Sequence, residues 1–140
     1  MRILGLDLGT KTLGLAISDN TQTIATSLGT IRFEENKNEL VLDELRKVID
    51  EYDAKTLVLG LPKNMNNSIG YAAERSLLFK ELLVKTFNLK VELQDERLSS
   101  VSANNILLQA DVSRKKRKAK VDQVAATVIL QNYLDIKKGI

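Results

Sequence analysis

Hydrophobic residues run almost without interruption through the start of the chain, and a single acidic residue breaks the run. The segment Arg2 to Leu8 reads RILGLDL, and a second apolar segment from Thr12 to Ser18 follows the turn-forming residues Gly9 to Lys11. Continuous apolar runs bounded by turn residues are typical of strands that are buried on both faces. The two segments are therefore predicted to form an antiparallel hairpin.

Asp7 is the acidic residue inside the first apolar run. An unpaired buried carboxylate would cost on the order of several kcal/mol or would stay protonated. Its side chain is therefore expected to meet a cation, a metal ion or hydrogen-bond donors. The alternative is a structural aspartate that hydrogen-bonds the following turn.

The pattern after the hairpin predicts one more strand and then alternating helices and strands. The predicted elements are a strand over 23–33 with a break at Gly29, a helix from about residue 36 to Tyr52, a strand over 56–61, a helix capped by Ser68 and ending near Phe87, a strand over 90–94, a helix over about 99–109 and a helix over about 121–138. The order βββαβαβα predicts an α/β protein with a mixed five-stranded sheet flanked by helices. No segment rich in Gly, Pro or Ser divides the chain, so residues 1–140 are expected to form a single domain.

The composition restricts the chemistry that this chain can perform. It contains no histidine and no cysteine, which excludes His-based nucleophile systems and zinc sites that use His or Cys. A metal site would have to use oxygen ligands, which favours Mg²⁺ or Mn²⁺. The N-terminus has no signal-peptide pattern, and no apolar stretch approaches the ~18 residues that a membrane span needs. A soluble, cytoplasmic protein is expected.

Basic residues are concentrated in one segment. The chain carries a net charge of +3, and residues 114–120 contribute six basic side chains: Arg114, Lys115, Lys116, Arg117, Lys118 and Lys120. We call this segment the basic run. Like charges at this density repel one another, so the basic run is predicted to be a mobile loop unless phosphate neutralises it. The alternatives are a nucleic-acid contact and a solvated surface segment.

Two further acidic positions lie where a site is expected. Asp95 and Glu96 follow a predicted strand, at the end where open α/β sheets place their sites. Asp122 shares a helix face with Ala125, Ala126 and Ile129 and is predicted to lie in the first turn of the last helix. Each acid has a simpler interpretation, because loop carboxylates are common and acids are favoured at helix N-termini. Three acidic positions in one sheet nevertheless favour a shared site.

Four segments of the chain resemble the signature blocks of the YqgF (RuvX) family. These segments are GLDLGTK at 5–11, GLP at 60–62, DERLSS at 95–100 and KVDQVAA at 120–126. The similarity covers nearly the whole chain, and the four blocks follow in the right order. Three positions depart from the family pattern: Thr12 stands where an arginine is typical, Asn67 where a glycine is common and Gln123 where a serine is common. The resemblance implies an RNase H-like fold, which has the element order predicted above.

The resemblance also implies a metal-dependent nuclease associated with maturation of the 5′ end of pre-16S ribosomal RNA. Carried over residue by residue, it implies that Asp7, Glu96 and Asp122 bind two Mg²⁺ or Mn²⁺ ions, with Asp95 as a supporting or alternative ligand. Two such ions bridged by carboxylates supply phosphodiester hydrolysis without a histidine base. Lys11, Arg97 and the basic run would then hold the nucleic-acid backbone, with RNA favoured over DNA.

Other functions remain open at this level. The family was first predicted to contain Holliday-junction resolvases, and such an enzyme would need a homodimer, whereas a single-strand nuclease works as a monomer. A non-catalytic nucleic-acid-binding module with the same fold is a further alternative. The segment Asp7 to Thr10 also resembles the first phosphate motif of sugar kinases, although those proteins are much longer and enclose the nucleotide between two domains.

Overall fold

A five-stranded mixed sheet organises the protein in the computed structural model, which describes residues 1–34, 38–62, 70–95 and 114–137. The strands are β1 (Arg2–Leu8), β2 (Thr12–Ser18), β3 (Ala25–Arg32), β4 (Ala54–Leu61) and β5 (Lys90–Asp95), in the spatial order β3-β2-β1-β4-β5. β1 pairs antiparallel with β2 and parallel with β4, while β3 and β5 extend the two sides. The described helices are α1 (Asn38–Tyr52), α2 (Tyr71–Phe87) and α3 (Arg114–Lys137). This is the predicted RNase H-like arrangement.

Each face of the sheet carries its own apolar core. The alternation of side chains along β1 sends Leu4 and Leu6 to the face covered by α1 and α2, where Val41 and Leu83 pack against them. Ile3 points to the opposite face, where it packs among the residues of α3. Because both faces are buried, β1 shows the continuous apolar run seen in the sequence.

Helix α3 lies unusually close to the central strand. A Cβ atom added to Gly5 would lie 2.7 Å from Cβ of Leu130 and 3.3 Å from the carbonyl oxygen of Ala126. At the other end of the helix, Lys137 donates a hydrogen bond to the side chain of Gln22, which in turn donates to the carbonyl oxygen of Met1. These contacts fix α3 antiparallel to β1, with its N-terminal half over the carboxyl end of the strand.

Three local features correct, confirm or refine the predicted elements. The helix predicted to start at a Ser68 cap has Gly70 as its N-cap, without a side-chain hydrogen bond, so that prediction was wrong. The helix ends at Phe87 as predicted, because Asn88 adopts the left-handed conformation and donates its N–H to Val84. At Gly29, φ is +116°, and the β2–β3 register shifts beside it, so the predicted break is a bulge within a continuous strand.

The basic run is helical, which corrects the prediction of a mobile loop. α3 begins at Arg114 rather than near Val121, so the basic run forms its first two turns. Lysine and arginine have high helix propensity, and the apolar half of the helix is anchored on the sheet, so the helix continues through the charged residues. The helix predicted at 99–109 lies outside the described residues.

Candidate active site

Asp7 occupies the carboxyl end of β1 on the face that α3 covers. It is half-buried and lies two residues beyond Gly5, so the two share that face. Across the sheet, the register pairs Asp7 with Gly14 of β2. On the other side, Leu6 pairs with Leu59, which places Gly60 of β4 beside Asp7.

The two neighbours of Asp7 in the sheet are therefore glycines. Gly14 and Gly60 carry no side chains, so neither neighbouring strand places a side chain beside the carboxylate of Asp7. Asp7 makes a further interaction in the structure and is not an isolated charge.

Asp95 ends β5 on the other face of the sheet. Val91 is buried in the core beneath α1 and α2, Leu93 packs against the same core, and strand alternation sends Asp95 to that face as well. At the carboxyl end of β5, the residue on the Asp7 face is Gln94, which pairs with Gly60. Gln94 was not among the predicted site residues, although the alternation of side chains along β5 could have indicated its position.

Glu96 and Arg97 follow directly after Asp95 and lie outside the described residues. The predicted pairing of Glu96 with the other acids therefore stays a prediction. Among the described residues, no three carboxylates come together as a group that would hold a metal ion.

Asp122 is the ninth residue of α3, not a residue of its first turn. The simple interpretation of Asp122 as an acid that stabilises a helix N-terminus is therefore wrong, because that effect is confined to the first turn. Its backbone lies one turn before Ala126, whose carbonyl oxygen approaches Gly5. The side chain of Asp122 lies outside the part of the chain that the structure describes.

The helix direction brings the backbone of residue 122 towards the end of β1 that carries Asp7. Gly5 lies against the carbonyl oxygen of Ala126, and Asp7 lies two residues, or about 6.6 Å, beyond Gly5 along β1. The backbone of residue 122 lies about 6 Å before Ala126 along α3. Because helix and strand are antiparallel, this displacement has the same direction as that from Gly5 to Asp7. The fold thus brings the backbone of residue 122 near the end of β1 that carries Asp7, although the two positions are far apart in the sequence.

The predicted nucleic-acid-binding residues have different structural settings. Lys11 is exposed in the tight turn between β1 and β2, where its carbonyl oxygen accepts a hydrogen bond of 2.9 Å from the N–H of Phe33. Gly9 closes the same turn by donating to the carbonyl oxygen of Thr12 at 2.7 Å. The basic run extends α3 beyond Asp122, away from Ala126, and the described structure does not include its side chains.

The donor set of the site fits a hard divalent cation. The chain contains no histidine or cysteine, and the candidate ligands Asp7, Asp95, Glu96 and Asp122 offer carboxylate oxygens only. Oxygen ligands of this kind are those that Mg²⁺ and Mn²⁺ prefer. Within the part of the chain that the structure describes, no helix is long and apolar enough to cross a membrane.

Sequence comparison identifies relatives that cover the whole chain. The profile of the family RuvX, described as Holliday junction resolvase, matches residues 1–136. A protein from Geobacillus sp. is 54% identical over 138 residues, covering 99% of this chain and 100% of the relative. A protein from Staphylococcus aureus is 50% identical over 135 residues, covering 96% and 95%. The names of both relatives describe them as predicted pre-16S rRNA nucleases.

Solved structures resemble this fold at much lower sequence identity. Fowlpox virus resolvase in complex with Holliday junction DNA has a TM-score of 0.62 at 16% identity, covering 98% of this chain and 99% of the resolvase. Thermus thermophilus RuvC in complex with a Holliday junction substrate has a TM-score of 0.60 at 14% identity, covering 99% and 97%. These similarities confirm the predicted RNase H-like fold. The sugar-kinase interpretation of residues 7–10 is not supported, because the family profile spans nearly the entire chain.

Proposed function

The chain belongs to the RuvX family of nucleases, and we propose that it is a divalent-metal-dependent nuclease that processes the 5′ end of pre-16S ribosomal RNA. The observation that carries this proposal is the approach of α3 to β1 at Gly5, which directs the helix turn bearing Asp122 towards Asp7. An acid at the end of β1 and an acid on the helix turn that is directed towards it suit a metal site better than a purely structural role. Residues 1–140 act as one catalytic domain in this proposal.

The metal ligands are Asp7, Glu96 and Asp122. Their oxygen-only chemistry supports Mg²⁺ or Mn²⁺ as the cofactor. When bound, such ions supply an activated water molecule and stabilise the charge that develops on the scissile phosphate. Asp95 is assigned a supporting role, because strand alternation directs it to the opposite face from Asp7.

The chain itself positions the substrate. Gly14 and Gly60 place no side chain beside Asp7, and Gln94, which pairs with Gly60, offers an amide donor on the same face. Lys11, Arg97 and the basic run hold neighbouring phosphates of the backbone, because Lys and Arg neutralise the charge of nucleic acid. The helical form of the basic run supports this role, since an ordered helix presents its charges as a fixed surface.

RNA is the favoured substrate because the half-identical relatives are named for action on pre-16S rRNA. A cytoplasmic location fits this substrate, since ribosomal RNA precursors are transcribed there. Two alternatives are a Holliday-junction resolvase, suggested by the description of the RuvX family, and a non-catalytic nucleic-acid-binding module.

Cleavage of two substrates side by side tests the proposal. Labelled pre-16S leader RNA and a four-way DNA junction are each incubated with the protein in Mg²⁺, in Mn²⁺ and in EDTA. We expect metal-dependent cleavage of the RNA by wild type and none by Asp7→Asn. Cleavage of the junction alone, together with a dimer in size-exclusion chromatography, would favour the resolvase. Binding of both substrates without cleavage in either metal would favour the non-catalytic module.

A further inference from the structure

A cleft of about 460 Å³ opens at the carboxyl end of β1, on the face of the sheet that carries α1 and α2. This volume lies within the range of pockets that bind small organic groups. The residues that matter for its chemistry are Leu8, Phe33, Tyr71, Glu74, Arg75 and Leu78. The site proposed above does not use this cleft, because Asp7 faces the opposite side of the sheet.

The cleft and the candidate active site are nevertheless adjacent. Leu8 lines the cleft and follows Asp7 directly, so their Cα atoms are only about 3.8 Å apart. The side chains of Asp7 and Leu8 point to opposite faces of the sheet at the same end of β1. A single strand that crosses this edge with a phosphate near Asp7 would bring a neighbouring base to the mouth of the cleft.

Large apolar side chains are exposed around the cleft. Tyr71 is 77% exposed and Leu78 is 66% exposed, although both line a concave surface. Phe33 is half-buried on the other wall, next to the β1–β2 turn. Aromatic rings and apolar walls of this kind are the surfaces on which unpaired bases stack.

Arg75 lines the same cleft and has a hydrogen-bond donor that the described part of the chain leaves unsatisfied. Its Nε atom is buried and has no hydrogen-bond partner among the residues that the structure describes. A guanidinium group cannot lose its proton at neutral pH and offers donors only, so this nitrogen needs an acceptor. Rotation of the long side chain into the cleft that it lines would give it one.

We propose that this cleft binds one unpaired guanine of the substrate strand. Guanine presents two adjacent acceptors, O6 and N7, which match the paired donors of an arginine. Glu74 lines the same cleft and offers an acceptor for the N–H groups of guanine. The substrate strand is the one assigned under the proposed function, so that part of the inference depends on it.

Binding of short oligonucleotides tests this proposal. Fluorescein-labelled UUGUU, UUAUU, UUCUU and UUUUU are titrated with Asp7→Asn protein in EDTA, where no cleavage occurs, and their affinities are measured by anisotropy. We expect UUGUU to bind about fivefold more tightly, or better, than the other three, as a bidentate arginine contact provides. In ¹⁵N-labelled protein, the Arg75 Nε–H signal should shift on addition of UUGUU.

The matched variants are Arg75→Lys and Arg46→Lys, each made in the Asp7→Asn background. Lysine keeps the charge but loses the planar fork, so Arg75→Lys should remove the preference for guanine. Arg46 packs over the ring of Phe87, 5.0 Å from its centroid, at the end of the sheet opposite the cleft. Its replacement should leave the preference for guanine intact. Tyr71→Leu is a second variant, and because Tyr71 is largely exposed it should fold while weakening UUGUU binding.

Equal affinity for the four pentamers, or a guanine preference that survives Arg75→Lys, would overturn the proposal. The result is separable from the nuclease assay. If the wild type cleaves RNA but shows no Arg75-dependent preference, the cleft proposal fails alone. If the preference is present but neither metal supports cleavage, the nuclease proposal fails and the cleft remains a guanine-binding site.

Discussion

Gly5 of β1 and Leu130 of α3 approach each other so closely that a single added Cβ on Gly5 would lie 2.7 Å from the Cβ of Leu130. Real Cβ atoms do not pack at that distance, so the contact exists only because residue 5 is glycine. It sets the height of α3 above the sheet, and with it the position of Asp122 relative to Asp7. A residue with no functional group thereby sets how closely the helix turn of residue 122 approaches the strand that carries Asp7.

Gly5→Ala is expected to destabilise the protein by about 1–3 kcal/mol, because the added methyl group overpacks a rigid interface. It should also reduce nuclease activity, since α3 must move away from β1 while every acid is retained. Urea unfolding and RNA cleavage measure the two effects. Gly9→Ala is the control for stability, because among the described residues its Cβ would approach only Thr12, at 3.0 Å from the side-chain oxygen and 3.3 Å from the carbonyl oxygen, and would not meet α3. An unchanged unfolding midpoint for Gly5→Ala would contradict the close packing.

Asp7→Asn is expected to abolish metal-dependent cleavage and to leave the fold intact or slightly stabilised. Clustered carboxylates repel one another until a cation binds, so neutralising one of them relieves that repulsion. The melting temperature in EDTA and the cleavage rate in Mg²⁺ test the two parts. Asp43→Asn on the exposed surface of α1 removes the same charge elsewhere and should change neither. A lower melting temperature with full activity would make Asp7 a structural residue.

Glu96→Gln should reduce cleavage far more than Asp95→Asn. Strand alternation directs Asp95 to the face of Val91 and Leu93, opposite to Asp7, so only one of the adjacent acids is suited to share a metal with Asp7. Cleavage rates across a Mg²⁺ titration compare the two variants. Equal losses would indicate that both acids bind metal, and a larger loss for Asp95→Asn would reverse the assignment.

Replacing Arg114, Lys115, Lys116 and Arg117 with Gln should weaken nucleic-acid binding and flatten the slope of log affinity against log salt by up to ~3. Glutamine keeps a high helix propensity, so the first turns of α3 should remain helical while four charges are lost. Turnover at saturating substrate should change little, because the proposed metal ligands are retained. Salt titrations of RNA binding measure the slope, and circular dichroism checks the helix. An unaltered slope would assign the basic run to the solvated surface.

Asp19 is expected to stabilise the fold at neutral pH but not in acid. The Thr21 hydroxyl and the backbone N–H groups of Ile24 and Thr23 donate to its carboxylate and lower its pKa well below the usual range. Because the folded pKa is depressed, the stabilisation is complete above the unfolded value of about 3.9 and is lost as the pH falls towards the folded pKa. Asp19→Ala should therefore lower the unfolding midpoint at pH 7, and the difference from wild type should narrow below about pH 4. A constant difference across this range would rule out the charge as the cause.

The hydrophobic pattern was sufficient to predict the sheet and most element boundaries. β1 and β2 have the predicted limits, α2 ends at Phe87 as predicted, and the order of the described elements is as predicted. These features depend on local periodicity and turn chemistry, which neighbouring residues in the sequence define. The prediction of Ser68 as the N-cap of α2 was wrong, because several polar residues before α2 are equally suitable by composition. The N-cap in the structure is Gly70.

The sequence by itself determined which chemical groups are available: carboxylates without histidine or cysteine, a dense basic run, and a buried strand that carries Asp7. Only the tertiary structure decided how they are arranged. Charge repulsion alone predicted a loop for the basic run, but the anchoring of α3 on the sheet makes it helical and moves Asp122 out of the first turn. Likewise, Phe33 and Tyr71 line one cleft only because β3 ends at the same end of the sheet at which α2 begins. Such arrangements depend on contacts between distant segments, which no local pattern encodes.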